Sequence, residues 1–181
     1  LACDRAAVGG NIYMTLFRGL GMKACRAFLL DKIFSEVGLM FDFVLSGEEA
    51  RVLGALLEKS MATPEYYPLS LNGLLNACNQ KSNREPVVAY DETTVLRAID
   101  ELKGKRLAVQ SDASRVPKYA ECFVGNGKLI IREAALLCLL LLRGAQTVGE
   151  LRGRSERLYG FADLGEVDET LENLVEMDLV K

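Results

Sequence analysis

Apolar residues fall at helical spacing from Ser46 onward. Ser46 to Glu49 reads S-x-x-E, a capping box, and behind it Ala50, Leu53 and Leu57 stand at i, i+3 and i+7, with Val52 and Leu56 widening the stripe. Thr63-Pro64 and Tyr67-Pro68 end this helix in an extended connection. Ser70 caps a second helix with Leu71, Leu74, Leu75 and Cys78 on one side. A polar run, Asn79 to Arg84, follows and closes at Pro86, and Val87-Val88 read as extended. Asp91 caps a third helix whose buried side is predicted as Val95, Leu96, Ile99 and Leu102. Leu107 to Gln110 and Val116 to Phe123 predict the two strands of a hairpin, with Asp112-Ala113-Ser114 at its tip. Pro117 marks the second of these strands as an edge, because proline cannot donate to a ladder.

Near Gly125 to Lys128 the pattern restarts. Glu133 to Leu142 repeats the E-A-x-[VL]-L-x-x-L-L of Glu49 to Leu57. Thr147 to Glu150 is a second capping motif, opening a helix with Val148 and Leu151. Val167, Leu171, Leu174 and Leu179 repeat the spacing of Val95, Ile99, Leu102 and Leu107. The predicted fold is mainly α with small β-hairpin wings (α+β): two tandem winged helix-turn-helix domains at 46–124 and 125–181. The second wing is expected to be incomplete, since the chain stops at Lys181 inside its first strand. Residues 1–45 form a separate N-terminal extension, non-native or poorly ordered, in which Lys23 to Leu39 has the pattern of an amphipathic helix. The native domain is expected to begin near Met40.

The net charge of −3 means that any basic surface must be local, since nucleic-acid affinity rests on phosphate neutralisation. Cys3, Cys25, Cys78, Cys122 and Cys138 include no C-x-x-C pair, which suits a reducing cytoplasm. The chain has no histidine, so His-dependent triads and His-ligated zinc are excluded. It also lacks phosphate-binding glycine motifs. No catalytic residues, metal or cofactor are expected, and the chain is read as a non-enzyme. The apolar stretches of the extension are broken by Arg26, Asp31, Lys32 and Glu36, so no membrane span is predicted.

The segment P-L-S-L-N-G-L-L-N-A-C-N-Q-K-S-N-R-E-P lies between E-A-R-V-L-G-A-L-L-E-K and L-L-L-R-G-A-Q-T-V-G-E-L-R-G-R. These motifs, in this order, resemble the YceH-like family of bacterial proteins over about residues 42–181. The resemblance implies a tandem winged-helix protein and adds little about molecular function.

A winged helix puts its third helix in the major groove and its wing on the backbone or minor groove. The face of the third helix opposite the core is Thr93, Thr94, Arg97, Asp100 and Glu101. The wing adds Arg115 and Lys118, and the polar run adds Asn79, Gln80, Lys81, Asn83 and Arg84. Together these are the candidate contacts to double-stranded DNA. The alternative for the polar run is that Asn and Gln hold the turn while Lys81 and Arg84 pair with Glu85 or Asp91. For Arg97, Arg115 and Lys118 the alternative is simple solvation. In the second unit the third helix is expected to bury Val167, Leu171, Leu174 and Val175. It then turns Glu166, Glu169, Glu172, Asn173 and Glu176 outward, a face unsuited to phosphates. Ala134 to Leu142 is apolar all round. Either it is the core helix joining two tandem domains, or Leu136, Leu137, Leu139, Leu140 and Leu141 form a homodimer or protein-partner interface. Two functions remain open: a DNA-binding regulator acting through its first domain, or a protein–protein adaptor.

Overall fold

The computed structural model describes residues 44–124 and 126–180. The predicted N-terminal extension and its Lys23–Leu39 helix lie outside the described residues. Helix α1 (Gly47–Ala62) is followed by a 3-10 turn (Pro64–Tyr66), strand β1 (Leu69–Ser70), α2 (Leu71–Cys78) and α3 (Glu92–Gly104). The hairpin β2 (Ala108–Ser111) and β3 (Lys118–Glu121) comes next, then α4 (Ile131–Arg143), α5 (Val148–Ser155) and α6 (Leu164–Glu176). The protein is thus mainly helical with one small antiparallel sheet, an α+β arrangement, in strand order β1-β3-β2.

Local chemistry sets the helix starts. Ser46 and Thr147 complete capping boxes with Glu49 and Glu150, while Ser70, Asp91 and Asp163 each accept from a backbone N–H in the first turn. At α4 the first residue outside the helix is Ile130, which has no acceptor. There Glu133 alone caps, taking the Ile130 N–H at 3.0 Å, as Glu49 takes that of Ser46. The exits of α3 and α6 also match. Lys105, Arg106 and Leu107 donate to Glu101, Lys103 and Leu102, and Met177, Asp178 and Leu179 donate to Asn173, Val175 and Leu174. Arg106 and Asp178 both take positive φ, at 58° and 55°.

The sheet corrects one expectation. β3 is the central strand, pairing Leu69 and Ser70 of β1 with Tyr119 and Lys118 on one side, and β2 on the other. Pro117 lies just before the first paired residue of β3, so its missing N–H breaks no rung. Helix faces differ in detail too. Leu96 is 36% exposed, and Ala98 instead joins Val95, Ile99 and Leu102 on the buried side of α3. In α6, Thr170 is buried with its hydroxyl donating to the Glu166 carbonyl, while Leu171 is half-buried and Val175 is 48% exposed.

One continuous core runs through the described residues. Its centre is the crossing of α1 and α4. Every residue from Arg51 to Glu58 is buried, and so are Glu133 to Leu139, Leu141 and Leu142. The Cys138 thiol meets the Gly54 carbonyl at 3.5 Å, and these two residues hold equivalent places in the E-A-x-[VL]-L repeat. The repeated helices therefore cross at corresponding positions. A Cβ on Gly54 would meet Leu142 at 2.9 Å, so only glycine lets the backbones come this close. The leucines of α4 are thus taken up inside the chain. Leu136, Leu137, Leu139 and Leu141 are buried against the chain's own core and only Leu140 is partly open, so they do not form an exposed subunit interface. No single described helix is long and apolar enough to cross a membrane, and α4 with α5 reaches the length only across a 108° bend.

Candidate nucleic-acid interface

The polar run after α2 is held from below by two buried arginines. Arg51, on α1, donates to the carbonyls of Cys78 at 3.3 Å and Pro86 at 2.6 Å, clamping both ends of the run. Burial, with the nearby charge of Arg84, lowers the pKa of its guanidinium below the ordinary arginine value. Arg84 donates to the Ala77 carbonyl at 2.8 Å, to Gln80 at 3.0 Å and to the Glu58 carboxylate at 2.6 Å. Glu58 also receives Arg157, from beyond α5, at 3.1 Å. Burial alone would push the Glu58 carboxyl up. The Arg84 hydrogen bond and charge, joined by Lys59 and Arg157, more than offset this and leave it lowered.

These contacts sort the expected DNA-contacting residues into two groups. Arg84 is 4% exposed and belongs to the interior; its partners are Glu58, Gln80 and backbone carbonyls, not Glu85 or Asp91. Asn79 spends both ends of its amide on the backbone of Tyr90, each at 2.8 Å. Gln80 accepts from Arg84, and Asn83 accepts from Arg143 at 3.3 Å. The run between α2 and α3 is therefore a knot that positions α3, and only Lys81 of its cations faces solvent. The second group is open. Thr93, Arg97 and Arg115 are exposed, and Thr94 and Lys118 are half-exposed. Among the described residues, Lys81, Arg97, Arg115 and Lys118 make no ion pair.

Sequence reasoning missed Arg51 and Glu58. The signal was present: two opposite charges seven residues apart, on one side of a helix whose intervening residues, Val52 to Leu57, are all apolar or glycine. Such charges are retained only where buried partners await them. In the second half, Arg152 bonds the Phe161 and Ala162 carbonyls, Arg154 pairs with Glu150, and Arg132 reaches Glu166 and Glu169. Glu169, Glu172 and Glu176 face solvent on α6, which carries no lysine or arginine. Glu166 is turned partly inward instead, accepting from Tyr159 and from the Ala162 N–H. Among the described residues no group of three His, Cys, Asp or Glu is placed to hold a metal ion.

Comparison with known proteins adds a family. Residues 45–181 match the profile of a family described as "Protein of unknown function, DUF480". A UPF0502 protein of Solibacter usitatus is 57% identical over 141 residues, which is 77% of this chain and 68% of that protein. A UPF0502 protein of Citrifermentans bemidjiense is 56% identical over 133 residues, covering 73% and 62%. A third, from Pelobacter propionicus, is 55% identical over 136 residues, covering 75% and 62%. The chain spans 62% to 68% of the length of these relatives.

Proposed function

The chain belongs to the DUF480 family of bacterial proteins, alongside relatives that carry the UPF0502 name, and we propose that it is a DNA-binding regulator built from tandem winged helix-turn-helix units. In this reading the first unit touches the duplex and the second completes the core. The observation that carries it is the element order α1-β1-α2-α3-β2-β3 with sheet order β1-β3-β2, which sets a capped, exposed helix beside a hairpin bearing unpaired cations. This order supports reading the unit as a helix-turn-helix with a wing, the arrangement that the YceH-like resemblance also implies. Thr93, Arg97, Arg115 and Lys118 are then the side chains available to the duplex, with Lys81 at the margin. The acidic outer face of α6 is excluded from that role by charge.

The test is duplex binding across a salt series. The Arg97→Ala, Arg115→Ala, Lys118→Ala triple variant should lower affinity and flatten the slope of log affinity against log salt by about 0.9 for every phosphate contact removed. Unchanged affinity and slope would sink the assignment. A second reading, a protein adaptor, is favoured by Leu96, Val109 and Val116, which stand 36%, 49% and 50% exposed on α3 and the hairpin. It calls for capture of a protein partner that survives nuclease treatment, and no duplex binding at all.

A further inference from the structure

The outer face of α3 is poorly made for a phosphate-lined groove. One cation, Arg97, stands there against two carboxylates, Asp100 and Glu101. The neighbouring Lys103 is spent on Asp100 at 3.0 Å and on Gln110 at 3.1 Å. Asp91 and Glu92 add negative charge at the end that would lead into the groove. The hairpin has the opposite balance. Its side chains outside the core include Arg115 and Lys118; of its two carboxylates, Glu121 is buried and Asp112 is exposed, accepting from Gln110 at 2.8 Å. At the tip the Ser114 hydroxyl donates to the Val116 carbonyl at 2.6 Å, bracketing Arg115. Lys118, half-exposed, sits on the last rung of the sheet, opposite Ser111 and Ser70.

We propose that this hairpin, rather than α3, makes the phosphate contacts. Arg115 and Lys118 lie along the backbone, Val116 rests against the sugars of the minor groove, and the duplex is held with little discrimination among sequences. Minor-groove binders combine cations with an apolar side chain in this way, and the phosphate term carries no sequence information. The inference rests on the DNA-binding reading above.

Fluorescence anisotropy of the full chain with two short labelled duplexes of unrelated sequence, across a salt series, tests it. Arg115→Ala with Lys118→Ala should flatten the salt slope by about 1.8, two contacts at about 0.9 each, and Arg97→Ala should flatten it by less than one such contact. The exchanged pair Arg115→Lys with Lys118→Arg should restore the slope, and the two duplexes should differ in affinity by less than about tenfold, well short of a specific site. A slope that responds to Arg97→Ala and not to the hairpin pair overturns the proposal, as does a larger preference for one duplex. An unsubstituted chain that binds neither duplex overturns the DNA-binding reading itself, so the two failures are told apart.

Discussion

At the scale of single residues, Glu58 shows what burial does to a charge. Its side chain is 4% exposed and that of Arg84 is fully buried. Neither ion is stable there alone, and each is tolerable because the other is 2.6 Å away. Glu58→Ala should therefore cost about 3–5 kcal/mol in urea denaturation, chiefly by stranding Arg84. Arg157→Ala should cost far less, because that partner is 58% exposed and solvent screens it. The pH dependence follows from the same pair. The folded carboxyl of Glu58 lies below its ordinary value, so its stabilisation is in place above the ordinary glutamate range and is lost as pH falls through the folded pKa. Thermal melts taken downward from pH 7 should show that loss in the unsubstituted protein and a shallower one in Glu58→Gln. Burial also raises the Cys78 thiol to about 12, so it stays protonated and unreactive at neutral pH.

Among elements, the crossing of α1 and α4 sets the tightest constraint. Gly54→Ala gains helix propensity but must push Leu142 aside, and Leu142 is 1% exposed with nowhere to go. A net loss of about 1–3 kcal/mol is expected from overpacking. Gly153, in α5, has open space where a Cβ would stand, so Gly153→Ala should stabilise by up to about 1 kcal/mol. Parallel denaturation curves of the two variants check the contrast, since propensity alone predicts the same sign for both. The caps at this scale were readable in advance, because a capping box is a contact between residues three apart. Which apolar residues of α3 and α6 face inward was less readable. Leu96 and Val175 fall at the rim of their stripes, and only the neighbour packed there decides whether a rim residue is covered.

For the molecule as a whole, the shared core ties the two halves together. α1 belongs to the first half and α4 to the second, yet each fills the other's apolar surface. Leu137→Ala should cost about 2–5 kcal/mol. It should also lower the midpoint equally for a probe in the first half and one in the second, as expected of a single cooperative transition. Two separated transitions would mean that the halves fold as independent domains.

Local periodicity determined that the described residues make six helices, four of them with caps legible in advance, and a hairpin, that the later helices echo the earlier ones, and that α4 must be buried. Those features depend on contacts a few residues apart, which a linear pattern records directly. Only the tertiary structure decided that Arg84 turns inward to Glu58, that β3 lies between two strands, and that α4 is covered by α1 of the same chain. Each of these joins residues far apart in sequence, by 26 positions for Arg84 and Glu58 and 84 for Cys138 and Gly54. No spacing rule along the chain specifies which distant surface will supply a buried group's partner.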